Sequence, residues 1–177
     1  MIYLIDDKKK RQNNDFGWTE EKLDNYNQCI QAIYTLDKLT DLSEEIFTEG
    51  NTVIYHESFL DNTSLSLEAV LKRDKLYEFS EKNQNFHLVI FSGSKSSRTL
   101  EKNVAHVPVS IVYQNLDVYA REYLEGNKDL NYLMFGKNPN IEKEIEEKLE
   151  TAIENLLDSK AAKISKKRNI FLRPKKK

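Results

Sequence analysis

The chain has 177 residues, 39% apolar and 32% charged, with only 5 Gly, 3 Pro and 1 Cys; these proportions exclude collagen-like, low-complexity and disulfide-scaffold classes and suit one soluble globular domain with an extension. Its formal charge of -2 conceals a division, because residues 160 to 177 carry nine of the 27 Lys and Arg and no acid. Residues 1 to 159 therefore keep 18 basic and 29 acidic side chains, a net of -11. Cys29 has no partner for an internal disulfide, no run approaches 18 apolar residues, and the N-terminus puts its apolar stretch before its lysines. The expectation is a cytoplasmic protein with no membrane segment and no signal peptide.

Met1 to Ile5 is an apolar run that stops at Asp6-Asp7 and a Lys-Lys-Lys-Arg string, the pattern of a buried strand delivering two carboxylates to a loop. Residues 19 to 26 suit a helix, and residues 29 to 36 fit either its continuation or a second strand. Asp41 and Glu44 resemble a capping box before a short helix over residues 42 to 49, with Gly50 in the C′ position. Residues 52 to 57 (Thr-Val-Ile-Tyr-His-Glu) read as a strand ending in polar groups, and residues 64 to 82 as a helix with Leu67, Val70 and Leu71 on one face.

His87 to Phe91 is the next apolar strand. It ends at Ser92-Gly93-Ser94, and a polar helical stretch is expected to about residue 103. Residues 107 to 113 read as a fifth strand running into Gln114-Asn115, followed by a helix over residues 116 to 125 closed by Gly126. Leu130 to Phe135 is short and apolar, of undecided type. The clearest helix spans residues 141 to 158, with Ile141, Ile145, Leu149, Ile153 and Leu156 on one face. Five strands separated by helices predict an α/β fold with a mostly parallel sheet covered on both faces. The divisions expected are an α/β domain over residues 1 to 126, an extension with the long helix over 127 to 159, and a basic tail over 160 to 177.

In such sheets ligands meet the carboxyl ends of the strands. Those ends supply Asp6, Asp7, His56, Glu57, Ser92, Gly93, Gln114 and Asn115. This order and spacing, over roughly residues 1 to 126, resembles a response-regulator receiver domain. The acidic pair after the first strand matches the pair that holds magnesium in that family. The third strand of the family ends in the phosphorylated aspartate, where this chain has His56 or Glu57. The fourth ends in a hydroxyl residue, kept here as Ser92. The fifth ends in lysine and proline, neither of which stands at Gln114-Asn115. The resemblance implies a flavodoxin-like three-layer sandwich and a degenerate phosphoacceptor region of His56, Glu57, Ser92 and Gln114.

Phosphoryl transfer needs a carboxylate nucleophile, a metal and an opposing cation, and two of these parts are absent. The expected function is a non-catalytic regulatory or adaptor module of a bacterial-type signalling complex, acting through protein contacts and without phosphorelay chemistry. Asp6, Asp7 and Glu57 alternatively suit a Mg²⁺ site, which would support an atypical phosphoacceptor or, with Asp61, a phosphodiesterase or nuclease. The competing structural reading has Asp6 and Asp7 cap the following helix or pair with residues 8 to 11. A third reading is nucleic-acid or partner binding by the tail cations Lys160, Lys163, Lys166, Lys167, Arg168, Arg173, Lys175, Lys176 and Lys177. A Ser92-His56-Asp7 triad lacks the nucleophile-elbow motif. The histidines and Cys29 show no zinc spacing, so the histidines read as structural.

Overall fold

The computed structural model describes residues 1–35, 38, 39, 43–57, 59, 67–94, 96–137, 148, 149, 151 and 153. Alternation of apolar side chains makes the first strand, β1 (Ile2–Ile5), buried on both sides. Ile2 and Leu4 join one core cluster, while Tyr3 and Ile5 join another. The same division runs through β2 (Ile30–Ile33), β3 (Thr52–His56) and β4 (His87–Ser92). Burial on two faces is the reason these strands read as continuous apolar runs rather than alternating ones.

Helices cover both faces. On the Ile2 face lie α2 (Glu20–Asp24), α5 (Val109–Leu124) and α6 (Asn131–Phe135), contributing Leu23, Val112, Leu116, Tyr119 and Leu133. The Tyr3 face is covered by α3 (Ser43–Ile46) and α4 (Leu67–Lys82) through Ile46, Leu76 and Phe79. Short α1 (Lys9–Asn14) follows β1 directly. Residues 30 to 33 are thus a strand, and residues 131 to 135 a helix. The one-face grouping of Leu67, Val70 and Leu71 falls on side chains outside the described set.

The sheet has six strands rather than five, in the order β2-β1-β3-β4-β6-β5. Two stretches depart from the expectation. The polar segment expected to be helical up to residue 103 contains β5 (Thr99–Glu101), which returns through Lys102-Asn103 into β6 (Val104–Pro108) as the only antiparallel pair among the described residues. The fifth parallel strand therefore covers residues 104 to 108 instead of 107 to 113, and the helix after it begins at Val109, not near 116. Pro108 explains the shift: it has no N–H to donate, and its fixed φ suits the residue preceding a helix. Val109, Val112, Tyr113, Leu116, Tyr119, Ala120 and Tyr123 then form a helical stripe on the core, and packing overrides the low helix propensity of Val-Ser-Ile-Val-Tyr.

The compact unit runs from Met1 to Lys137, past Gly126, because α6 packs against α5 and places Leu130, Leu133 and Met134 in the core. Asn138–Lys177 form a second unit, in which residues 148, 149, 151 and 153 are helical and Leu149 and Ile153 are exposed. The rest of the expected 141–158 helix, and the whole tail, lie outside the described residues. No helix among the described residues is long and apolar enough to cross a membrane.

Candidate functional site

Strand order reverses between β1 and β3, since the chain moves from β1 outward to β2 and then back across to β3 and β4. The carboxyl ends of β1 and β3 therefore flank the crevice where ligands of open α/β sheets sit. Asp6 and Asp7 follow β1, His56 ends β3, and Asp6, Asp7 and His56 bring ligand atoms within 4.8 Å of one another.

Asp6 is fully buried. Its carboxylate accepts the Tyr113 hydroxyl at 2.6 Å and the Lys8 backbone N–H at 2.9 Å. Arg11 from α1 approaches both carboxylate oxygens, at 3.3 and 3.4 Å. The Arg11 Nη2 also lies 3.3 Å from His56 Nε2. A guanidinium has no acceptor, so Nε2 accepts and the imidazole proton is assigned to Nδ1. That Nδ1–H faces Asp7 Oδ1 at 3.0 Å and Asp6 Oδ1 at 3.4 Å. The ring is held from both sides.

Asp7 is the outer carboxylate, paired with Lys8 Nζ at 2.9 Å. Burial pushes its pKa up, but the hydrogen bonds from Lys8 and His56 outweigh that and hold it below the usual range. Burial and the adjoining Asp6 push the Tyr113 phenol far above its ordinary range, so it remains a donor. Aromatic rings wall the network: Phe16 stacks on Tyr113 at 4.8 Å, and Phe91 sits 5.0 Å from the His56 ring. Trp18 donates its indole N–H to the Tyr113 carbonyl at 2.8 Å, tying α5 to the segment between α1 and α2.

Beside the network opens a cavity of about 300 Å³ lined by Lys8, Arg11, His56, Glu57, Ser92, Gly93 and Ser94. Glu57 thus shares the cavity but is not in the ligand-distance group with Asp6 and Asp7. Ser92 and Ser94 hydroxyls meet at 2.8 Å, and the Ser94 N–H donates to Ser92 Oγ, a local serine turn. Gln114 is misplaced in the sequence reading: it is exposed on α5 and ends no strand. The fifth parallel strand ends instead in Val107-Pro108, with a proline but no lysine.

Asp6 and Asp7 do pair with residues 8 to 11, as the structural reading of that pair expects. Arg11 lies within the expected residues 8 to 11, five past Asp6 on the next element. Tyr113 is the member that sequence reasoning missed. It had no signal, because its partner is 107 residues away and its segment reads as a strand. Asp61 and the nine tail cations lie outside the described residues. No family model, curated protein or solved structure matches this chain.

Proposed function

We propose that the chain is a receiver-like regulatory or adaptor module, flavodoxin-like in its parallel strand order, that works through protein contacts without phosphoryl chemistry. One observation carries this reading: the buried Asp6 carboxylate is satisfied from within by Arg11, Tyr113 and the Lys8 N–H. An ionised group with three internal donors is a structural element. A cation entering there would have to displace the Arg11 guanidinium, and a hard Mg²⁺ ion would meet a histidine where that ion prefers oxygen. At the end of β3 stands His56, already committed to Asp7 and Arg11 rather than open to a phosphoryl group.

Trp18 provides the test, since its indole hydrogen bond joins it to the residue that grips Asp6. Titration with Mg²⁺ and beryllofluoride is expected to leave its fluorescence flat. A saturable change would favour the second reading, a metal-dependent phosphate enzyme. That reading draws on the shared ligand distance of Asp6, Asp7 and His56, a donor set better suited to Mn²⁺ or Zn²⁺ than to Mg²⁺. Nucleic-acid binding through residues 160 to 177 rests on the tail's charge alone. It requires an affinity that falls steeply with salt, by about 0.9 in log K per phosphate contact for each decade of salt, and that vanishes on truncation after Ser159.

A further inference from the structure

The two edges of the sheet are protected differently. β5 is three residues long, exposed and charged, and turns back at once through Lys102-Asn103. β2 reads Ile-Gln-Ala-Ile and has no charge, proline or bulge, the features with which proteins usually blunt an open edge.

Register assigns its free groups. Ile2 N–H bonds to the Cys29 carbonyl and Asp6 N–H to the Ile33 carbonyl, with Ile2 opposite Ile30 and Leu4 opposite Ala32. Residues 29, 31 and 33 therefore face β1, while Ile30, Ala32 and Tyr34 turn their backbone groups outward. The Ile30 N–H is taken by the Tyr26 carbonyl. The Ile30 carbonyl, the Ala32 N–H and carbonyl, and the Tyr34 N–H have no partner among the described residues.

Along this edge runs a groove of about 440 Å³ between β2 and α2. Its ionised side chains are Glu20 and Asp24, and no Lys or Arg lines it among the described residues. Glu20 also holds Lys9, so Asp24 presents the uncompensated charge. The Met1 ammonium is engaged by Asn51 and Tyr123. Half-buried Leu23 supplies an apolar wall on the α2 side.

We propose that an extended, basic segment of a partner protein adds a strand to the outer edge of β2, bonding to Ala32 and placing a lysine or arginine side chain against Asp24. This rests on the adaptor reading and names the surface it uses. A second copy of the chain is a poorer occupant, because it would bring a like-charged α2 against this one.

The experiment follows amide hydrogen exchange in the full ¹⁵N-labelled chain, at low salt, with acetyl-Lys-Val-Lys-Val-Lys-amide as probe. The expected result is saturable binding that slows exchange at Ala32 and Tyr34 about tenfold. The effect should disappear with a probe N-methylated at alternate residues, and Asp24→Asn should weaken it roughly two- to fivefold. Unchanged exchange at probe concentrations up to millimolar would overturn the proposal. So would an Ala32 N–H already protected without probe, whether by the chain itself or, if protection grows with protein concentration, by a second copy. Failure here with a flat Trp18 titration would remove the surface and leave the adaptor reading in place.

Discussion

The two ends of the sheet are both polar, but they solve different problems. At the carboxyl end, acidic and basic side chains meet: Asp6, Asp7, Arg11 and Lys8 surround His56. At the amino end, mainly neutral side chains saturate backbone carbonyls. Asn103 reaches the carbonyls of Ser80, Asn83 and Phe86, Tyr123 reaches Gly50 at 2.7 Å, and Thr52 and Tyr119 share a hydrogen bond at 2.7 Å. The amino end is ordinary polar bookkeeping of loops that must be buried. Charges at the carboxyl end cost desolvation that only good geometry offsets, and such an arrangement is where function is sought.

Arg11→Ala should break this contrast most severely, because it leaves Asp6 buried without its cation. A loss of about 3 kcal/mol is expected in urea unfolding, the low end for a broken buried pair since Arg11 keeps some contact with water. An Asp6→Asn, Arg11→Met double variant should recover part of that loss. If the single variant cost less than about 1 kcal/mol, the charge network would be peripheral. Tyr113→Phe removes one donor to a buried carboxylate and should cost about 2 kcal/mol, with altered Trp18 emission through the shared α5 contact. Asn103→Ala at the opposite end strands several carbonyls at a cost of about 1 to 2 kcal/mol, but should leave Trp18 emission unchanged.

Acid should separate the two ends by pH. Burial lowers the His87 pKa from 6.5, so below that value the unfolded chain takes up the proton first. Stability at the amino end is present above pH 6.5 and lost as pH falls through the folded value. Asp7, held below 3.8, contributes stability that is lost only under stronger acid. His87→Gln should therefore abolish the first decline in melting temperature and keep the second. A first decline that survives His87→Gln would assign it elsewhere.

Much of the framework was legible because burial on two sheet faces writes itself as apolar runs. Met1 to Ile5, residues 52 to 57 and residues 87 to 91 each read directly as strands, and Asp6, Asp7, His56 and Ser92 followed as strand-end groups. The segment from 93 to 113 was not legible, whereas the helix over residues 116 to 125 and its closing Gly126 were. Thr-Leu-Glu-Lys-Asn has a single apolar residue, Leu100, and so shows neither a helical nor a strand period. Val109 to Tyr113 has strand propensity yet lies in a helix, since its 3.6-residue stripe finds a core only once Pro108 has ended β6. Placing the strand too late also carried Gln114 into the expected site.

The sequence by itself determined an α/β chain with two carboxylates after its first strand, because period and composition are local properties. Only the tertiary structure decided what those carboxylates face. Parallel pairing sets β1 beside β3 across 50 residues of chain, and α5 returns Tyr113 to Asp6 from 107 residues away. Hydrogen bonds and ion pairs act over a few ångströms, so partners so distant in sequence meet only when the fold closes.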